Sequence, residues 1–167
     1  MIRKVIKDDF GQLVEIYNQA ILKGHQTAHL NPVTIDSRKQ WFLDHAAKRQ
    51  LLLAYLEGKT ILGYLSLSAY RNGREALQGT KEVSIYIRQD SQNQGIASAL
   101  FKHTLALCPS MGIEALIAII LASNQSSISF FKKHQFEEWG RLLDIAKVAG
   151  HKIDHVYLGR QVSLDKR

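Results

Sequence analysis

The sequence predicts a mixed α/β sheet with helices on its faces, formed as a single domain over residues 1–167. Three observations carry that expectation. Segments with an apolar period near 3.6 alternate with short apolar runs of strand length. Residues 115–122 are eight apolar residues in succession, as in a strand covered on both faces. No Pro/Gly/Ser linker, low-complexity tract or repeat divides the 167 residues. A domain of this length buries roughly 70% of the surface of its unfolded chain, so a core needs no covalent staples.

The elements follow in order. Residues 2–6 read as a short strand. From Asp9 onward Phe10, Leu13, Val14, Tyr17 and Ile21 fall on one helical face. A loop through Asn31-Pro32 leads to Asp36, read as the N-cap of a second helix carrying Trp41 and Phe42. Residues 51–57, 60–70 and 82–87 read as three strands, the first two joined by Glu57-Gly58-Lys59. Residues 95–107 return to helix, with Ile96, Ala99, Leu100 and Leu107 on one side and Pro109 and Gly112 at the end. Then come the strand at 115–122, a helix at 125–134 and terminal strands closing at 156–162.

Composition narrows the function. Apolar residues make up 46% and charged residues 22%, the balance of a soluble globular protein. The eight-residue run falls short of the ~18 needed for a membrane span, so no membrane partner is expected. The first nine residues hold no apolar h-region, which predicts no secretory signal and a cytoplasmic protein. One cysteine, Cys108, excludes an intrachain disulfide and a multi-cysteine zinc site. It reads as a packing residue, not a nucleophile. The net charge of +7 raises the question of a polyanionic partner. The basic pairs Arg38-Lys39, Lys48-Arg49, Lys132-Lys133 and Lys166-Arg167 never extend into a block, so nucleic acid is not the expectation. A phosphate-bearing small molecule accounts for the excess equally well.

No G-x-G-x-x-G after a strand, Walker loop, G-x-S-x-G or H-E-x-x-H occurs. The informative stretch runs from Glu82 through Arg88 to Gln92-Asn93-Gln94-Gly95-Ile96-Ala97. A strand there delivers the chain into a loop that opens directly into a helix. Such a terminus presents about four N–H groups without intrahelical partners at the positive end of the dipole. Gly95 and Ala97 leave that backbone uncovered for an anion. An ordinary strand-to-helix turn, with glycine for conformational reasons, is the competing reading.

Gln92-x-x-Gly95-x-Ala97 resembles the pyrophosphate loop of the GNAT superfamily of N-acetyltransferases. Asn124-x-x-Ser127-Ile128 followed by Phe136 resembles the same superfamily's segment after its fifth strand. Within the superfamily, the sequence resembles the phosphinothricin and methionine sulfoximine acetyltransferase branch. The echoes are residues 16–20, Arg38 with Trp41-Phe42, Arg74-x-Ala76-x-x-x-Thr80-x-Glu82-x-x-x-Tyr86, Trp139-Gly140-Arg141-Leu142 and residues 150–154.

The resemblance implies a mostly antiparallel central sheet with acetyl-CoA at a splayed pair of central strands. It implies acetyl transfer from acetyl-CoA to a primary amine of a small molecule, an amino acid or analogue, without a metal. Protein N-terminal acetylation and non-catalytic CoA binding are the alternatives, and homodimers are frequent among such proteins. Carried over by position, the main chain of Ile85, Tyr86 and Ile87 would hold the pantetheine arm. Gln92 and the N–H groups of Gln94, Gly95, Ile96, Ala97 and Ser98 would hold the pyrophosphate, with Asn124 and Ser127 on the cofactor's other side. Lys133 would meet a phosphate or remain a solvated surface lysine. Asn124 is equally suited to capping a helix.

Glu82 is the candidate general base. An amine with a pKa of ~10 is neutral in only about one molecule per thousand at pH 7, so removing its proton is a real need. In a regular strand Glu82, Ser84 and Tyr86 share one face and Val83, Ile85 and Ile87 the other. Unaided, a strand-end glutamate reads as solvated; its offset from Tyr86 matches the resembled base. The resemblance also implies Arg74 as a clamp for a carboxylate or phosphinate, with Tyr70 and Arg71 on the same connection; a surface loop arginine is the alternative.

Three residues depart from the pattern. Phe131 stands where the resembled enzymes carry a tyrosine or histidine that protonates the thiolate. Leu77 replaces an aromatic residue beside the acceptor. Gln135 stands where glycine normally precedes Phe136. The pairs His25/His29 and His151/His155 have i, i+4 spacing but no third ligand, so no metal is expected.

Overall fold

The computed structural model describes residues 1–47 and 50–162. The basic pairs Lys48-Arg49 and Lys166-Arg167 lie outside them. The elements are β1 (Ile2–Lys4), α1 (Phe10–Leu22), α2 (Ile35–Ala47), β2 (Leu51–Glu57), β3 (Thr60–Ala69), β4 (Thr80–Ile87), α3 (Ile96–Leu107), β5 (Ala115–Leu121), α4 (Gln125–Lys133), β6 (Glu137–Val148) and β7 (His151–Gln161). Seven strands form one sheet in the order β1-β2-β3-β4-β5-β7-β6. Every pairing is antiparallel except β4 with β5.

Strand alternation divides the core in two. Leu52, Ala54 and Leu56 of β2 and Tyr64 of β3 pack with Leu13 and Ile16 of α1, and Trp41 and Phe42 of α2 lie against them. Leu51, Leu53, Leu65, Leu67 and Val83 point the other way, toward Ile96, Leu100 and Phe101 of α3 and Ile128 and Phe131 of α4. One face of the sheet therefore carries α1 and α2, the other α3 and α4. β5 is buried along nearly its whole length, as its unbroken apolar run requires. Buried Cys108 belongs to the α3 side of the core. Burial pushes its thiol up to about 11, which keeps it inert at neutral pH.

Four expectations need correction. β1 ends at Lys4, and β4 begins two residues early, at Thr80. Asp36 lies inside the first turn of α2 and does not cap it. Thr34 Oγ1 accepts from the Ser37 N–H at 3.1 Å while Ser37 Oγ accepts from the Thr34 N–H at 3.0 Å, so this reciprocal pair fixes the helix start. On α3 the inward positions are Ile96, Leu100, Phe101 and Thr104, whereas Ala99 and Leu107 are only half-buried. The terminal strands form a long hairpin, β6 with β7. β6 is almost wholly exposed, and Leu142, Leu143 and Ile145 face solvent, so no inside–outside alternation marks it as a strand.

Candidate active site

β4 and β5 run side by side only briefly. Thr80, Lys81 and Glu82 pair with Ala115, Leu116 and Ile117. Beyond that, β4 continues to Ile87 and β5 to Leu121 without pairing. The strands part in a V whose apex is Glu82 opposite Ile117.

The gap exposes a specific set of main-chain groups. The Arg88 N–H donates to the Leu62 carbonyl at 2.8 Å and the Tyr70 N–H to the Thr80 carbonyl at 3.4 Å. In an antiparallel ladder alternate residues bond the same neighbour. Even-numbered residues of β4 therefore face β3; the odd-numbered ones face β5, and past the last paired residues Ile85 and Ile87 turn both their N–H and C=O groups into the gap. Of the three residues expected to offer main-chain contacts, Ile85 and Ile87 do so, whereas the peptide groups of Tyr86 are turned toward β3.

A cavity of about 500 Å³ opens in the gap. It is lined by Ile85, Tyr86, Ile87, Gln92, Gly95, Ile96, Ala97, Ser98, Asn124, Ser127 and Lys133, all expected from sequence. Gln94 is absent from the lining; its Nε2 turns toward the Asp90 carbonyl, 3.4 Å away. Ala20, Gln26, Ser91, Asn93, Ser126, Phe130 and Phe131 complete the wall. Because the strands have separated, residues from both sheet faces reach this one space.

Gly95 is the N-cap of α3, with φ +78°. That left-handed conformation favours glycine, so the conformational reading of this residue holds. A Cβ placed there would meet no protein atom within 4 Å, so the space over the helix N-terminus is open as well. Asn124 caps α4: Oδ1 accepts from the Ser127 N–H at 3.3 Å and from Ser126 Oγ at 3.0 Å. The capping role is realised in a residue that also lines the cavity.

Lys23 carried no sequence signal. Its Nζ donates to Gln92 Oε1 at 2.9 Å, tying the end of α1 to the loop before α3. The contact spans 69 residues, and no local pattern reports it. Ala20 and Gln26 enter the wall for the same reason.

Glu82, Arg74, Tyr70 and Arg71 lie outside the cavity lining. Glu82 is half-buried on the face of α1 and α2, and burial raises its carboxyl pKa above the usual range. Opposite it in register is Ser68, whose Oγ lies 3.1 Å from Nε2 of buried His45. His45 Nδ1 lies 2.7 Å from the Trp41 carbonyl. A carbonyl only accepts, so Nδ1 carries the proton and Nε2 accepts from the serine. Tyr70 is half-buried, while Arg71 and Arg74 are exposed on the β3–β4 connection. The Arg71 guanidinium sits 5.5 Å from the Tyr70 ring centre.

Phe131 is buried and packs on Phe101 and Phe136, so its position offers no proton. His29 is committed to Tyr17, with Nδ1 2.6 Å from the hydroxyl. Among the described residues no group of three or more His, Cys, Asp or Glu is placed to hold a metal.

Known proteins match this architecture closely. A family described as an acetyltransferase (GNAT) domain matches residues 2–157. The chain is 37% identical over 155 residues to a Bacillus subtilis protein named "Putative phosphinothricin acetyltransferase YwnH", covering 93% of this chain and 94% of that one. It is 30% identical over 162 residues to the L-methionine sulfoximine/L-methionine sulfone acetyltransferase of Pseudomonas paraeruginosa, covering 94% and 90%. The crystal structure of a phosphinothricin acetyltransferase from Sinorhizobium meliloti in complex with acetyl-CoA superposes with a TM-score of 0.90 at 25% identity, over 98% of this chain and 88% of that one. The chain, with its parted strands, open helix terminus and acetyl-CoA as cosubstrate, belongs to the GNAT family of N-acetyltransferases.

Proposed function

We propose that this enzyme transfers the acetyl group of acetyl-CoA to the primary amine of a small molecule, an α-amino acid or analogue of the methionine sulfoximine and phosphinothricin kind, within one domain spanning residues 1–167. The observation that carries it is the gap between β4 and β5, with free peptide groups along one wall and a half-buried carboxylate at its apex. The relatives' substrates supply the acceptor class.

The residues present fit the cosubstrate. The N–H groups from Gly95 to Ser98 meet the pyrophosphate over open space, with Gln92, Asn124, Ser127 and Lys133 around it and Lys23 behind Gln92. The main chain of Ile85 and Ile87 pairs with the amides of the pantetheine arm as a missing strand would. Acetyl-CoA supplies an activated acyl carbon and a thiolate leaving group.

Glu82 takes the proton of the incoming ammonium, directly or through a water. Its raised pKa brings it nearer the working pH, where a base is most effective. Phe131 cannot protonate the departing thiolate, so that proton comes from water or from the acid form of Glu82. Arg74, with Tyr70 and Arg71 beside it, reaches the acceptor's far end from the β3–β4 connection. We place the enzyme in the cytoplasm, where acetyl-CoA is made and used, consistent with its inert, unpaired Cys108. We further propose a homodimer, supported by the exposed apolar side chains of edge strand β6.

Two measurements test the reading. Acetyl-CoA at 100 times its dissociation constant is expected to stabilise the fold by ~2.7 kcal/mol, a melting shift of roughly 5–10 °C at this size. Thiol release across amino acids, their sulfoximine and phosphinate analogues, polyamines and short peptides is expected to concentrate on the amino acid group. Turnover confined to peptides or polyamines would overturn it.

A further inference from the structure

We propose that Arg38 on α2, which rests between two aromatic rings above the face of the sheet carrying Glu82, binds the carboxylate of the acceptor and so selects amino acids over other amines. This rests on the acceptor class proposed above and adds the residue that reads it.

Arg38 is half-buried. Its guanidinium carbon stands 4.6 Å from the ring centre of Tyr17 and 4.2 Å from that of Trp41. Stacking on two rings holds the side chain in one place. It makes no hydrogen bond or ion pair with any described residue. Among the described residues, the other well-fixed arginines all have a partner: Arg3 has Asp9, Arg88 has Glu15, Arg141 has Glu138 and Asp154, and Arg160 donates to the His134 carbonyl at 2.6 Å. Arg38 alone among these five is immobilised with all five side-chain donors unspent. A planar fork in that state is matched by a carboxylate.

Its neighbours put the charge beside the reaction. Tyr17 meets the Tyr86 ring edge-on at 5.0 Å, and the positive charge of Arg38 is felt by Tyr64, Tyr86 and His45. Below it, β3 and β4 present three cross-strand pairs on one face: Tyr64 with Tyr86, Ser66 with Ser84, and Ser68 with Glu82. Along α2, Arg38 and His45 are separated by two turns, about 10.5 Å. Along β4, Tyr86 and Glu82 are separated by roughly 13 Å. The two rows run together: His45 stands over Ser68 at the Glu82 end, and Arg38 over the tyrosines at the other. Between them lie buried Ser66 and half-buried Ser84. An α-amino acid over Ser84 has its nitrogen toward Glu82 and its carboxylate toward Arg38. Arg74, exposed on the β3–β4 connection, is left for the acceptor's side chain.

The test compares L-methionine sulfone with 3-(methylsulfonyl)propylamine, the same amine without its carboxylate. In Arg38→Gln the ratio of kcat/KM for the amino acid to that for the amine is expected to fall roughly tenfold to a hundredfold, through KM, as for loss of a charge-assisted hydrogen bond. Arg38→Lys keeps a cation and the apolar stem, and is expected to recover part of that ratio. The acetyl-CoA melting shift reports that each variant is folded. An unchanged ratio, with both acceptors losing alike, means that Arg38 only fastens α2 to α1 and overturns this inference while leaving the proposed function standing. If the parent enzyme turns over the plain amine and no amino acid, or neither compound, the proposed acceptor class falls and this inference with it.

Discussion

Glu82, proposed above as the general base, would join catalysis to stability in one side chain. Its pKa is raised because burial disfavours the charged form. Activity is therefore expected to fall, as pH is lowered, through an inflection above the ordinary glutamate value of ~4.3. Glu82→Gln should remove that inflection from the kcat/KM profile and lower kcat by about 10² to 10⁴. The stability sign is opposite to the catalytic one. A raised carboxyl pKa stabilises the fold at low pH, and that contribution is lost as pH rises through the folded value. The glutamine variant, free of a buried charge, should thus melt no lower than the parent at pH 7; equal activity across that comparison would remove Glu82 from the mechanism. Gln135 is a second case. It lies at φ +65° at the end of α4, where the Phe136 N–H donates to the Phe131 carbonyl and the Gln135 N–H to the Lys132 carbonyl. That pattern calls for glycine at the left-handed position, and an L side chain there costs about 1–2 kcal/mol. Gln135→Gly is expected to raise Tm by a few degrees in a thermal melt. The sequence had shown glutamine in a glycine's place; the dihedral angle gives the reason.

At the scale of elements, the start of α3 combines a conformational and a binding demand that a single substitution can separate. Gly95→Ala strains the backbone by about 1 kcal/mol, because φ is positive there. Its added methyl meets no protein atom, so any further steric effect falls on the ligand. A bulkier Gly95→Val should therefore weaken acetyl-CoA binding in calorimetry by more than its melting temperature alone accounts for. Binding unchanged in that variant would argue against the phosphate cradle. α2 depends on a buried polar chain, Trp41 carbonyl to His45 to Ser68. Burial holds the imidazole pKa below its usual value, so the folded state resists protonation. Stability is then present above ~6.5 and lost as pH falls from there toward the depressed folded value. His45→Gln is expected to cost about 1–3 kcal/mol at pH 7 in denaturant unfolding and to flatten the slope between pH 7 and 5.

Across the whole molecule, the seven-stranded sheet separates two chemistries onto two sides of one gap. The α3 and α4 side carries the open helix terminus proposed to meet the phosphates; the α1 and α2 side holds Glu82 and Arg38. β6 closes the sheet with Leu143 at 72% and Ile145 at 60% exposure, values that suit a covered surface better than a free edge. Light scattering is expected to give a dimer mass for the parent and a monomer for Leu143→Arg with Ile145→Asp. A monomeric parent would count against the proposed homodimer.

Short-range order was legible from the chain alone. Helix period, strand runs and turn residues identified ten of the eleven helices and strands, while the twelve cofactor residues came from the family resemblance, and eleven of them line the cavity. These signals are local, since periodicity and loop chemistry are set within a few residues. What they could not fix was anything made by residues far apart. The parting of β4 from β5, the Lys23–Gln92 contact and the seat of Arg38 between Tyr17 and Trp41 arise when distant segments are brought together, and β6 carries no inside face for a pattern to report. Tertiary packing alone decides which arginines stay without an acidic partner, Arg38 against Tyr17 and Trp41 among them, because only packing determines which charges meet.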